Sequence, residues 1–521
     1  MKPDRLRCLI AATLLVSTGA VCDAAIPRRP VQKATPVSTD TILAAAIARA
    51  QAGDCQGALA LLDPLVASPA EVQPDKVRLS AQLVRLPCLA AIGRATEVAP
   101  LLVELKVQAP DNPLVLGYEV LTDADAGRFA PATDALSALA DRRSPALALI
   151  PGNLWRVVAQ KLTVAHDVDR RDRTALALAE ADWQPSDRPD IAEGLAADGI
   201  GTLLDHRDPD TARGLLPRVV RPGALRDMAI QRRYEALWPD IETRLGPEGG
   251  AATDRYARRA LAAYSVDPGD DFAIRDTVRA FLALGRSDDA AATAAPVDVV
   301  PGMSEVRVEI VLGHVEALIA AGDDAGAATL LKSFATIDLA RTPTAAATLI
   351  TLAEREHETG QYDQELALAR ATIADKAPYY SAFGLAWLPR SETCALAALH
   401  RDAEAKIAGD ALKAAADDNA AAAVEGLLCA GRDGEAAAIA IHTLSTPEGT
   451  DGIADQFQPG GVYQAHDPSR LRAMWARLLA RGDVKAAFDR AARILPKPLW
   501  PSPTPRIVPI LPGSTGAAPT T

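Results

Sequence analysis

The sequence predicts an all-α protein made of repeated helical hairpins, and two observations carry that prediction. Hydrophobic residues make up 49% of the 521 residues but aromatic residues only 4%, so alanine provides much of the apolar content. Alanine favours helices, whereas strands favour aromatic and β-branched residues. Residues 304–334 have the apolar period of two helices joined by a turn at Gly322, and Ala327 falls where the two helices cross.

The first 25 residues have the composition of a secretory signal peptide. A basic end is followed by a short apolar run and then by a small-residue cleavage site. Lipid modification at Cys22 is the alternative, although Val21 does not match the small residue that precedes the cysteine in lipoprotein signals. The apolar run is too short for a stable membrane anchor. We therefore expect a periplasmic or secreted protein without stable membrane insertion after signal cleavage.

Charge and motifs argue against several classes of function. The net charge of −12 disfavours a nucleic-acid or acidic-lipid partner. The sequence has no phosphate-binding glycine loop, dinucleotide fingerprint, nucleophile elbow or His-Glu-x-x-His motif. His357 fits a solvated helix face better than a metal site. Paired acids such as Asp417 and Asp418 fit helix caps. We expect no catalytic residue, no cofactor and no metal.

A turn glycine followed five residues later by alanine recurs along the chain. The pairs are Gly53 and Ala58, Gly127 and Ala132, Gly285 and Ala290, Gly322 and Ala327, Gly431 and Ala436, and Gly482 and Ala487. Variants of the pattern are Gly93 with Val98, Gly360 with Glu365, and His400 in place of the glycine before Ala405. These residues and their spacing resemble tetratricopeptide repeats (TPR), whose period is about 34 residues. The resemblance covers about 60% to 70% of the mature chain by repeat count, and it implies an α-solenoid of TPR-like hairpins with a groove for a protein or peptide partner.

The pattern divides the chain into six segments. They are a signal peptide (1–25), a flexible leader (26–40), N-terminal TPR-like repeats (41–144), a less regular helical middle block (145–250), C-terminal TPR-like repeats (251–495) and a proline-rich disordered tail (496–521). The middle block lacks a clear glycine and alanine pair. Its mixed charges indicate solvated helices, with a basic groove for an acidic partner as the alternative.

Four cysteines remain after the signal peptide, and they form two local pairs about one repeat apart. They are Cys55 with Cys88 and Cys394 with Cys429. An even number of cysteines in an exported chain favours disulfides, which we expect within each pair. Four buried thiols in alanine-rich helices are the alternative.

The densest aromatic cluster lies at Tyr379, Tyr380, Phe383 and Trp387. An alanine-rich groove offers little affinity, so these rings are predicted to anchor the partner, with Tyr463 on a long loop closing over them. The alternative is that the rings fill the core where the repeat becomes irregular. The sequence as a whole favours a non-catalytic exported scaffold that binds a protein or peptide in the cell envelope. A carbohydrate- or peptidoglycan-acting enzyme with an α-superhelical or α/α-toroid fold is the alternative, and it requires two carboxylates facing one cleft.

Overall fold

A computed structural model describes residues 38–67, 75–462 and 470–508. Across these ranges the regular elements are helices, as the sequence predicted, and the one β feature is an isolated bridge between Gln231 and Ala492. The predicted signal peptide, most of the predicted leader and Tyr463 lie outside the described residues. Within the described part of the chain, no helix is both long and apolar enough to cross a membrane.

The chain forms two compact units, residues 1–199 and 200–521. The helices of the first unit are α1 (Thr39–Gln51), α2 (Cys55–Ala67), α3 (Asp75–Ala91), α4 (Ala95–Gln108), α5 (Pro113–Asp125), α6 (Phe129–Asp141), α7 (Gly152–Val164) and α8 (Val168–Glu180). Consecutive pairs pack as hairpins: α1 on α2, α3 on α4, α5 on α6, and α7 on α8. The division between the units falls within α9 (Ile191–Asp205).

The second unit also consists of helices. Its helices are α10 (Pro209–Leu215), α11 (Pro222–Ile230), α12 (Trp238–Leu245), α13 (Gly250–Val266), α14 (Asp271–Ala283), α15 (Ser287–Ala294), α16 (Glu305–Ala320), α17 (Asp324–Phe334), α18 (Ala346–Glu358), α19 (Tyr362–Lys376), α20 (Ala382–Leu385), α21 (Trp387–Ala398), α22 (Asp402–Ala414), α23 (Ala420–Cys429), α24 (Asp433–Thr443), α25 (Pro447–Ile453), α26 (Arg470–Leu479) and α27 (Gly482–Ala491). One core cluster of this unit includes Val278, Val311, Phe334 and Leu349, so apolar stripes of several helices meet there.

The turn glycines and their alanines have the geometry that defines each hairpin. Gly53, Gly127, Gly285, Gly322 and Gly431 have φ between 70° and 82°, a left-handed conformation that glycine adopts at low cost. The paired alanines Ala58, Ala132, Ala290, Ala327 and Ala436 are at most 1% exposed. Small side chains therefore lie at the crossings of these helices.

The turn at Gly482 differs from the other turns. Gly482 is the first residue of α27, and the extended Arg481 precedes it as the N-cap. Ala487 is nevertheless buried like the other alanines of the pattern. The glycine therefore starts a helix here and does not close the one before it.

Four residues other than glycine have a left-handed conformation within residues 145–250, and two of them form tight turns between consecutive helices. His166, between α7 and α8, has φ 58°, and Arg207, between α9 and α10, has φ 62°. Ala212, five residues after Arg207, is fully buried. A pattern that requires glycine does not detect these turns, although their backbone conformation is the same.

The end of the second unit returns to contact its first helices. Arg493 N donates to Ile230 O at 2.8 Å, and the Arg493 guanidinium lies 3.5 Å from the centre of the Trp238 ring. Arg493 also pairs with Glu242 at 2.6 Å. These contacts hold the segment that follows α27 against α11 and α12.

The described part of the predicted disordered tail is held against helices α13 and α14. Arg506 N donates to Leu284 O at 2.8 Å, and the Arg506 guanidinium pairs with Asp254 at 3.0 Å. Leu499 is buried, and Pro505 lies against Gly285. Proline-rich composition predicted an extended segment, and its described residues make specific contacts with α13 and with the end of α14.

Candidate functional site

The regular repeat is interrupted between α19 and α21. A short 3-10 turn at Ala377–Tyr379 follows α19, and the single-turn helix α20 follows that. Pro378 lacks the N–H that a longer helix would use, which favours the break. Ser381 Oγ then accepts from Gly384 N at 3.1 Å and caps α20.

Two of the four predicted anchor rings face the protein. Tyr380 donates its hydroxyl to Ala346 O at 2.8 Å and packs on the core cluster of the second unit. Burial raises the pKa of Tyr380 to about 12. Trp387 is half-buried, with the Arg390 guanidinium 5.1 Å from its ring centre. Tyr380 therefore holds the interrupted segment to α18, whereas the contact of Trp387 with Arg390 lies within α21.

The other two rings face solvent. Tyr379 is 39% exposed and Phe383 is 57% exposed. Asn419 fixes the backbone beneath them, because its Nδ2 donates to Phe383 O at 2.9 Å while its Oδ1 caps α23. The predicted aromatic cluster is therefore divided between packing residues and an exposed pair.

The long predicted loop at 444–468 is partly helical and contributes to the core. Helix α25 lies within it, and Phe457 packs edge-to-face on Trp475 with ring centres 4.8 Å apart. Tyr463, the predicted closing residue, lies outside the described residues.

An ionic network centred on the buried Arg390 joins α18, α21 and α23. Arg390 is 1% exposed, and its Nη2 donates to Glu354 Oε1 at 2.6 Å. Its Nε is 3.1 Å from Glu425 Oε2, which makes an ion pair without the alignment of a hydrogen bond. Trp475 Nε1 donates to the other oxygen of Glu425 at 2.9 Å. This network was not predicted from the sequence, because its contacting members are 35 to 50 residues apart.

His357 is 5% exposed, so the expected solvated helix face is wrong at this position. Its Nδ1 lies 2.9 Å from Oε2 of Glu365, which is fully buried. Burial raises the pKa of Glu365, while the hydrogen bond with His357 opposes the rise. Glu365 stands five residues after Gly360, where other hairpins have alanine. The hydrogen-bonded pair therefore places polar side chains at a helix crossing.

A cavity of about 160 Å³ lies between α17 and α18. Its lining includes Asp324, Lys332, Arg355 and Glu356. Asp324 is bound by Arg355, and Glu356 is only 6% exposed. The cavity therefore does not present the two water-facing carboxylates that a glycosidase requires. No group of three or more potential metal ligands occurs among the residues that the structure describes.

The cysteine pairs differ from each other. Cys394 and Cys429 form a disulfide with their Cα atoms 4.9 Å apart. Cys55 and Cys88 are free thiols, so the structure departs from the predicted bond there. Burial and a hydrogen bond with the Cys55 thiol raise the pKa of Cys88 to about 12. The thiols of Cys55 and Cys88 are therefore adjacent but not bonded.

Comparisons with known proteins do not identify the class of repeat, so the hairpins themselves have to be considered. No family model matches the chain, and no curated protein matches it. Among 38 matching chains of solved structures is the P58(IPK) TPR domain, at 14% identity and a TM-score of 0.18, covering 85% of this chain and 98% of that one. The Naa15/Naa10 structure bound to HypK-THB matches at 14% identity and a TM-score of 0.23, covering 87% and 73%. TM-scores this low do not establish a shared fold.

The hairpins themselves carry the assignment. Left-handed turn residues, buried alanines at the crossings and antiparallel packing of consecutive helices recur through both units. The described residues have an all-α fold of helical hairpins that resemble tetratricopeptide repeats.

Proposed function

We propose that this protein is a non-catalytic scaffold of the cell envelope that binds an extended segment of a protein or peptide partner at Tyr379 and Phe383. The exposure of this aromatic pair, in a chain with 4% aromatic residues, is the observation that carries the proposal. Aromatic residues dominate the energetics of many protein interfaces, because each ring buries a large apolar area.

The support beneath the pair favours binding. Tyr380 holds the segment to α18, and Asn419 fixes the backbone of Phe383. A segment ordered before binding loses less conformational entropy when a partner docks. The two exposed rings therefore form a preorganised surface.

Export of the chain is part of the proposal. The composition of residues 1–25 supports a signal peptide. The bond between Cys394 and Cys429 suits an oxidising compartment. Amino-terminal sequencing of the mature protein tests this part, and we expect a new terminus at Ala25 or Ile26. An intact terminus in the cytoplasmic fraction would contradict export.

Partner capture from an envelope extract tests the binding surface. We expect wild-type protein to retain partners that Tyr379→Ser/Phe383→Ser loses at least about tenfold, since both anchor rings are removed. Val266→Ser is the matched control, because Val266 on α13 is 86% exposed and lies outside the surface. Equal capture by the double variant and the wild type would contradict the proposal.

A further inference from the structure

Three exposed carboxylates flank the aromatic pair. Asp417 and Asp418 immediately precede Asn419, whose side chain is bonded to Phe383 O at 2.9 Å. Asp375 lies four residues before Tyr379, in the last turn of α19. We call Asp375, Tyr379, Phe383, Asp417 and Asp418 the acidic–aromatic surface.

Helix capping does not account for these carboxylates, although the sequence indicated it for Asp417 and Asp418. Asn419 provides the cap of α23, whereas Asp270 and Asp323 do cap their helices. Asp375 is at the negative end of α19, where a carboxylate is unfavourable. The positive end of α23 partly offsets the charge of Asp417 and Asp418. Within the described residues, none of the three side chains forms a hydrogen bond or ion pair.

The nearest basic residue in sequence does not neutralise the surface. Lys376 directs its Nζ to Ala335 O, 3.4 Å away, at the end of α17. No arginine or lysine among the described residues lies over the Tyr379 or Phe383 ring.

Elsewhere in the chain, an arginine contacts both an aromatic ring and a carboxylate. Arg286 lies 4.8 Å from the centre of the Phe281 ring and pairs with Asp289 at 2.7 Å. Arg493 combines a contact with Trp238 at 3.5 Å and an ion pair with Glu242 at 2.6 Å. At the acidic–aromatic surface the ring and the carboxylate are present, and the cation is missing.

We infer that the partner segment bound at the acidic–aromatic surface is cationic, with arginine or lysine side chains over the rings and against the carboxylates. This inference rests on the proposed function and adds the chemistry of the partner. Guanidinium groups suit it best, because they stack on aromatic rings and pair with carboxylates. Nucleic acids and anionic lipid surfaces are repelled by the same carboxylates.

Binding of a labelled synthetic peptide of alternating arginine and proline, followed by fluorescence anisotropy, tests the inference. The reference peptide has citrulline at each arginine, which keeps the shape and removes the charge. We expect the arginine peptide to bind at least about tenfold more tightly, with affinity falling as salt rises from about 50 to about 300 mM.

Variants locate the binding. Asp417→Asn/Asp418→Asn should weaken binding of the arginine peptide about three- to tenfold, and Tyr379→Ser/Phe383→Ser about tenfold or more. Asp298→Asn/Val300→Ser is the matched control, because it removes an exposed acid and an exposed valine on another loop of the same unit. The control should bind like the wild type.

Three results would overturn the inference: equal binding of both peptides, no binding of the arginine peptide at millimolar concentration, or an equal loss in the control. If envelope partners still depend on Tyr379 and Phe383 in that case, the scaffold proposal stands and only the cationic chemistry is wrong. If partner capture ignores those rings, the proposed function itself fails.

Discussion

Two neighbouring hairpins of the second unit have the same type of turn but different side chains where their helices cross. Gly322 turns α16 into α17 with φ 82°, and Gly360 turns α18 into α19 with φ 77°. Five residues later the first hairpin has Ala327 and the second has Glu365, and both are fully buried. The turn thus sets the hairpin geometry, while the crossing tolerates either a methyl group or a carboxylate with a partner.

The second of these hairpins also contributes Glu354, on α18, to an ionic network. The ionic network of Arg390, Glu354 and Glu425 links α18, α21 and α23 next to the interrupted segment with the exposed rings. Buried ions need fixed partners, because an unpaired charge in the interior is costly. The apolar α16/α17 hairpin depends on fit, whereas the region from α18 to α23 depends on paired charge.

Arg390→Met should cause the largest loss of stability. The substitution leaves Glu354 and Glu425 without their common cation, which should cost about 3–5 kcal/mol of unfolding free energy. Urea denaturation measures this loss. Arg370→Met is the control: Arg370 pairs with Glu392 and Glu404 with 42% of its side chain exposed, so its loss should cost less than about 1 kcal/mol. Similar losses in both variants would show that burial does not distinguish the charged region.

Cys394→Ala/Cys429→Ala should be the next most damaging change. The bond closes a loop with a sequence separation of 35 residues. Removing it should lower the free energy of unfolding by about 3–4 kcal/mol in the chain-entropy model. Cys55→Ala/Cys88→Ala is the matched control without a covalent link, and it should cost about 1 kcal/mol from lost packing. A control as damaging as the first variant would mean that the bond is not what stabilises α21 and α23.

Ala327→Leu tests the apolar crossing. The extra side-chain atoms have no space between α16 and α17, so we expect a loss of about 1–3 kcal/mol, and a similar loss for Ala290→Leu. Thermal melts of the variants measure it. Ala325→Leu, at an exposed position of the same helix, should leave the midpoint nearly unchanged. Unchanged midpoints for the two buried sites would mean that these alanines do not limit the helix contacts.

Glu356 should have a smaller effect on the free energy of unfolding, and this effect should depend on pH. Burial raises its pKa from 4.5 to about 7, with Lys332 opposing the rise and Glu365 adding to it. A carboxyl with a raised folded pKa contributes stability that is present below pH 4.5 and is lost as the pH rises through about 7. Glu356→Gln should remove up to about 2 kcal/mol of that dependence, measured by urea denaturation from about pH 4 to 8. Parallel pH profiles for variant and wild type would contradict the assignment.

Local chemistry made the hairpins predictable from sequence, because a left-handed glycine and a small crossing residue lie only five positions apart. The same pattern overlooked His166 and Arg207, which adopt the left-handed conformation without being glycine. His357 was also predicted to lie on a solvated helix face, because its partner Glu365 lies across the turn on the next helix. Buried pairs between helices leave no local hydrophobic signal in the sequence.

The aromatic cluster shows a similar limit. Its composition marked the region, but adjacent residues such as Tyr379 and Tyr380 face solvent and core respectively. The break at Pro378 and the short α20 determine that difference, and neither follows the helical period. Sequence could therefore locate the candidate site without dividing it into supporting and exposed rings.

Site-specific photo-cross-linking tests the central claim, that a partner docks on the exposed rings, most directly. A benzophenone amino acid is placed at Phe383 in one variant and at Val266 in another, and each is irradiated in cells that express the full chain. Both positions are exposed, at 57% and 86%. The account predicts a cross-linked protein adduct from position 383 and none from position 266. No adduct at position 383, or equal adducts at both positions, would contradict it.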